Sequence, residues 1–116
     1  MNIKVIREPI SIREAEELAQ EFYRTMVKGV ADIEREIIAL GGEYHIDANN
    51  VLIEEGSIQP NLWGFNMHFD REGDEWLEYR SLINIRPAAG NRGMLVKDET
   101  LQNRMRKIIE KLILKP

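Results

Sequence analysis

Apolar residues recur in steps of three and four from Ala15 to Leu40, through Leu18, Phe22, Met26, Val30, Ile33 and Ile37. The mean step is about 3.6 residues, the period of one helix face. Ser11 followed by Glu14 fits a capping box, and Gly41-Gly42 fits a helix stop. The pattern predicts one long helix from Ser11 to Leu40, in phase through Gly29. Ahead of it, Ile3-Lys4-Val5-Ile6 reads as a short strand rich in β-branched residues. Such a helix would be about 45 Å long at 1.5 Å per residue. A domain of this size is only about 35 Å across. One end of the apolar stripe would therefore overhang, and a homodimer is the expected way of covering it.

From Glu43 the period changes to two. Glu43 to Asp47 and Val51 to Glu54 read as two strands of a hairpin, with Ala48-Asn49-Asn50 as its turn. Leu62 to Phe69 alternates, with Trp63, Phe65, Met67 and Phe69 on one face. Glu75 to Arg86 reads as the partner strand, ended by Pro87. Asp98 is placed to cap a last helix whose stripe is Leu101, Met105, Ile108, Ile109 and Leu112. The order predicts a single α+β domain over 1–116. Its mostly antiparallel sheet of four to five strands packs against a long N-terminal helix and a C-terminal helix.

Charge adds an asymmetry. The chain of 116 residues carries a formal charge of -4. Residues 1–83 hold 8 basic and 17 acidic side chains, and residues 84–116 hold 8 and 3. A nucleic-acid binder is usually basic throughout, so nucleic acid is an unlikely partner. There is no cysteine, which excludes disulfides, thiolate catalysis and Cys-ligated zinc. No apolar run reaches the roughly 18 residues of a membrane span. The first residues lack the apolar stretch of a signal peptide, so the expectation is a cytoplasmic protein without membrane contact. No phosphate-binding, dinucleotide-binding or nucleophile-elbow motif is present, and no cofactor is expected.

Three constellations could carry chemistry. In the predicted hairpin Asn66, His68, Glu78, Arg80, Asn84 and Arg86 share a polar face. Trp76 and Leu82 fall on it too, which suggests a partly covered face, either a ligand cleft or a subunit contact. His45 and Asp47 would lie on one side of a strand, about 7 Å apart. With His68 they form a weak candidate metal site or hydrolytic centre. The third is the segment from Asn84 to Gly93. Arg86 ends a strand, Pro87 stiffens the turn, Gly90 frees backbone N–H groups, and Asn91 and Arg92 follow. Two guanidiniums beside an N–H-rich turn suit a phosphate or carboxylate, so Arg86, Gly90, Asn91 and Arg92 are the candidate anion site. The alternative is that both arginines pair with carboxylates of the acidic half, with Glu43, Asp47 and Glu78 as candidates.

The stretches Gly41-Gly42-Glu43-Tyr44-His45-Ile46-Asp47, Glu55-Gly56-Ser57-Ile58-Gln59 with Leu62-Trp63-Gly64-Phe65-Asn66, and Ile83-Asn84-Ile85-Arg86-Pro87 with Gly90-Asn91-Arg92 resemble a family of small uncharacterised prokaryotic proteins. Where relatives carry Ser after the Asn-Arg pair, this chain has Gly93. The resemblance implies no activity and carries no catalytic residue over. Three functions stay open: a small-anion or phosphate-binding module at the Arg86–Gly93 loop, a hydrolytic enzyme using His45, Asp47 and His68, and a structural or regulatory homo-oligomer without a small ligand.

Overall fold

Residues 1–115 are described by the computed structural model. Strand β1 (Lys4–Ile6) leads to the short β2 (Ile10–Ser11) and helix α1 (Ile12–Ala19). Ser11 caps α1 as its sequence suggests, its Oγ accepting from Glu14 N at 3.2 Å. The Glu14 carboxylate does not close a capping box; it reaches Lys4 Nζ at 3.4 Å.

The helix predicted to Leu40 ends after eight residues. The rest of that segment is an antiparallel hairpin, β3 (Met26–Asp32) and β4 (Ile37–Leu40). Its turn is organised by the buried Asp32. One carboxylate oxygen accepts from Glu34 N and Arg35 N at 3.0 and 2.9 Å, the other from Ser57 Oγ at 2.7 Å. The helical spacing was misleading because β3 is central and buried on both faces. Such a strand reads as a nearly continuous apolar run rather than an alternation. No long helix overhangs: the molecule measures 37 × 31 × 24 Å, and the overhang expected to drive dimerisation is absent.

The hairpin expected over residues 43–54 is instead helix α2 (His45–Glu54). Asp47, at the third helical position, accepts from Tyr44 N at 2.9 Å and Glu43 N at 3.1 Å, which supplies the helix start. Strand β5 (Leu62–His68) runs as predicted. Its partner β6 is only Leu77–Glu78 rather than Glu75 to Arg86. Beyond it the chain makes two isolated bridges, Arg80 to Leu95 and Arg86 to Asn91, and 3-10 turns at Leu82–Asn84 and Pro87–Ala89. Helix α3 (Glu99–Leu112) starts as read, with Asp98 accepting from Thr100 N at 2.9 Å. The two-residue β7 (Ile113–Leu114) pairs in parallel with β2.

The sheet order is β1-β4-β3-β5-β6, every pairing antiparallel. Val27, Ala31, Ile38, Leu40, Trp63, Phe65 and Met67 face α1 and α3 and form the main core. Val30, Ile37, Ala39 and Leu62 face the other way, against Ala48 and Leu52 of α2. Helix α2 covers only one end of this second face. Among the described residues no helix is long and apolar enough to cross a membrane.

Candidate functional site

Where α2 stops covering the sheet, the register lines up Lys28, Asn66 and Glu78 across β3, β5 and β6. The first turn of α2 and the Arg80–Ile83 segment rise on either side. Between them lies a cleft of about 520 Å³, within the range of small-ligand sites. Its walls are apolar side chains that water reaches: Tyr44 is 59% exposed, Ile46 46%, Leu82 71% and Met94 36%. Met26, Lys28, His45, Asn66, Arg80, Ser81 and Ile83 complete the lining. Gly64 and Ser81 fix the position of the second wall, because a Cβ on Gly64 would come within 2.6 Å of Ser81 Cβ.

The polar groups of the floor are held by specific bonds. His45 is buried, and its Nε2 donates to the Phe65 carbonyl at 2.9 Å. Burial pushes its pKa down to about 4. The bond to Phe65 opposes this, the Lys28 charge adds to it, and the Asn66 amide opposes it again. The ring is therefore neutral at pH 7. Asn66, 8% exposed, donates through Nδ2 to Glu78 Oε1 at 3.0 Å and to the Arg80 carbonyl at 3.2 Å. Both partners are acceptors, so the amide cannot be turned round. Its Oδ1 is buried and unpartnered. His68 Nε2 meets the same Glu78 Oε1 at 3.1 Å. Burial raises the Glu78 pKa, but the bonds from His68 and Asn66 outweigh it and hold the carboxyl below its ordinary value. Lys28 Nζ sits over the rings of Tyr23 and Tyr44, 5.0 and 5.4 Å from their centroids. Tyr23 in turn donates its hydroxyl to the Glu43 carbonyl, tying the end of α1 to the start of α2.

The polar face read from the sequence is thus assembled in part. Asn66, His68 and Glu78 come together, and Arg80 Nε approaches Glu78 Oε2 at 3.6 Å. Asn84 is elsewhere: it is buried, with its amide on the Gly64 backbone. Leu82 does flank a cleft, while Trp76 joins the main core on the opposite face.

The weak metal trio is not brought together. His45 and Asp47 stand two apart at the start of a helix, where such residues do not share a face. Asp47 is spent on the α2 cap and His68 on Glu78. Among the described residues no group of three His, Asp or Glu could hold a metal ion.

The Arg86–Gly93 segment folds into a closed turn. Arg86 and Asn91 pair through their backbones at 2.7 and 3.1 Å, with Gly90 at φ 82° between them. The Arg86 guanidinium donates to the carbonyls of Ile83, Pro60 and Leu62 and lies 4.2 Å from the Trp63 ring centroid. Asn91 is buried, donating to the carbonyls of Asn84 and Gly93 and accepting from Lys97 N. Arg92 is exposed, and among the described residues it makes no hydrogen bond or ion pair. The groove beside this turn, about 450 Å³, is lined by Gln59, Pro60, Arg86, Pro87, Ala88 and Ala89, without Arg92. Neither arginine pairs with Glu43, Asp47 or Glu78. A further depression of about 530 Å³ lies beside β6 and α3. Its charged lining mixes Arg71 and Arg106 with Asp74, Glu75 and Glu78, and it has no unpartnered buried group.

Sequence reasoning missed Lys28, Tyr44, Ser81 and Met94 as cleft residues. Asn66, Arg80 and Leu82 on the predicted polar face, and His45 from the candidate metal trio, are the cleft residues that the sequence did point to.

A family model described as a protein of unknown function (DUF5674) matches residues 4–112. The chain belongs to the DUF5674 family. The match runs from β1 to the end of α3, so the cleft of this DUF5674 protein is built wholly from family sequence, as is the Arg86–Gly93 turn. No curated protein and no solved structure matches the chain.

Proposed function

We propose that this protein is a binding module for a small ligand with an apolar body and an anionic head, held in the cleft between α2 and the Arg80–Ile83 segment. The observation that carries the reading is the convergence of exposed apolar side chains, Tyr44, Ile46, Leu82 and Met94, on a floor that carries the Lys28 ammonium. Exposed apolar area concentrated around one concavity signals an occupant, whereas scattered apolar residues do not. Lys28 and Arg80 supply the positive charge, and the α2 N-terminus adds its partial positive end. Met26 and Met94 give the walls adaptable shape. The class of function is the small-anion binding read from the sequence, with the site moved from the Arg86–Gly93 turn, whose donors are largely taken by carbonyls. Hydrolysis by His45, Asp47 and His68 forms no part of it, since the three are committed to separate bonds.

The test is a titration of ¹⁵N-labelled protein with benzenesulfonate, which stays anionic across the working pH range, and with methyl phenyl sulfone as an uncharged analogue. A fragment of this size gains about -4 kcal/mol at ordinary ligand efficiency, a Kd near 1 mM. Amide shifts are expected at Lys28, His45, Asn66 and Leu82 with the anion, weaker with the sulfone, and lost in Leu82→Asp. No movement of cleft amides at saturating anion would remove the reading.

A further inference from the structure

Two groups lining the cleft keep hydrogen-bonding capacity of opposite kinds. The first is Lys28. Its half-buried ammonium lies over the rings of Tyr23 and Tyr44, which attract its charge. Among the described residues no oxygen accepts its protons. The second is His45. The Phe65 carbonyl can only accept, so the 2.9 Å contact belongs to a proton on Nε2. A neutral imidazole carries one proton, which leaves Nδ1 as a bare acceptor. Among the described residues no donor meets Nδ1. The one buried side-chain polar atom there without a partner is Asn66 Oδ1, so Nδ1 is reached by water. The concavity that His45 lines is the cleft.

The other polar groups are committed. Asn66 Nδ2 donates to Glu78 and to the Arg80 carbonyl. Arg80 Nε faces Glu78 Oε2, and Ser81 Oγ accepts from Ile83 N. Lys28 stands across the sheet from Asn66, and His45 is anchored on the next residue, Phe65. The unspent donor and the unspent acceptor therefore sit over neighbouring positions of the sheet. A simple carboxylate or sulfonate satisfies Lys28 and has no proton for Nδ1. An ammonium group could donate there but would bring a further positive charge beside Lys28 and Arg80. A neutral donor close to the anion meets both needs.

We infer that the head of the ligand is a 2-hydroxy carboxylate, its carboxylate on the Lys28 ammonium and its hydroxyl donating to His45 Nδ1. The inference rests on the proposed anion-binding cleft and names the substrate class of that site, with His45 as its specificity-determining residue. A site that pairs with a ligand hydroxyl discriminates against the analogue lacking it.

The test compares phenylacetate, both enantiomers of mandelate, and O-methylmandelate by NMR titration of the intact ¹⁵N-labelled protein at pH 7. One mandelate enantiomer is expected to bind at least about fivefold more tightly than phenylacetate, the equivalent of about 1 kcal/mol for a neutral hydrogen bond. The methyl ether keeps the oxygen but loses the proton, and it is expected to fall back to the phenylacetate level or below. The His45 Nδ1 signal is expected to move upfield with mandelate and not with phenylacetate. His45→Phe keeps a ring and removes the acceptor, so it should erase the mandelate advantage. The ligand series on the unaltered protein decides the matter if that variant does not fold. Phenylacetate and both mandelates binding equally, or the ether matching mandelate, would overturn the hydroxyl contact and leave the binding reading standing. A mandelate advantage with Nδ1 unmoved would overturn the role given to His45. Cleft amides that respond to none of the ligands would overturn both this inference and the binding reading.

Discussion

The side-chain amide of Asn84 occupies the place of a neighbouring strand beside Gly64. Its Oδ1 accepts from Gly64 N at 2.8 Å and its Nδ2 donates to Gly64 O at 3.0 Å, with Met94 O as a further acceptor at 3.2 Å. One side chain thereby closes part of the β5 edge that the short β6 leaves unpaired, and Arg86 does the same at Leu62 O. A buried backbone group left without a partner costs about 1–3 kcal/mol. Asn84→Leu is therefore expected to lose about 3 kcal/mol or more in urea unfolding. Asn84→Asp keeps the bond to Gly64 N but loses both donations. A loss under 1 kcal/mol for the leucine variant would mean that Gly64 is not held this way.

Gly29 gives a prediction whose sign separates strand from helix. On an exposed helix face, Gly→Ala stabilises by about 1 kcal/mol. Here a Cβ at Gly29 would strike the Phe65 ring and approach Leu40 Cδ2 to 2.7 Å, and overpacking costs about 1–3 kcal/mol. Gly29→Ala is expected to lower the thermal midpoint, and Phe65→Leu in the same chain to recover part of the loss. A rise in the midpoint would contradict the hairpin.

His45 makes stability depend on pH. Its folded pKa of about 4 lies below the ordinary histidine value of 6.5. Between those values the unfolded chain binds more proton, so stability rises with pH through this window. The contribution is complete above pH 6.5 and is lost as pH falls towards 4. The gap corresponds to about 3 kcal/mol. His45→Gln is expected to flatten the dependence of unfolding free energy on pH between 4 and 6.5. An unchanged slope would show that the ring is not desolvated.

Much of the local structure was legible in the sequence because it depends on neighbours along the chain. The Ser11 and Asp98 caps, β1, β5 and the α3 stripe need only a side chain, a few residues of backbone and one buried face. The failures share a cause. From Met26 to Leu40 two strands are apolar on both faces, and their spacing imitated a helix. From His45 to Glu54 a helix buries only His45, Ala48, Asn49 and Leu52, so its short stripe read as alternation. After Glu78 the pattern continued, but Asn84 and Arg86 replaced backbone pairing with side-chain bonds.

Composition and local pattern by themselves determined an α+β protein with an antiparallel sheet, without cysteine chemistry, and with its basic charge gathered towards the C-terminus. Tertiary structure alone decided that α2 covers half of one sheet face and leaves the other half open. A residue's partner across a sheet is set by register, and register depends on contacts distant in sequence. That is why Lys28, His45, Asn66 and Leu82, spread over 55 positions of the chain, meet in one cleft. It is also why Arg86 and Asn91, paired across the turn that the sequence suggests as an anion site, spend most of their donors holding that turn together.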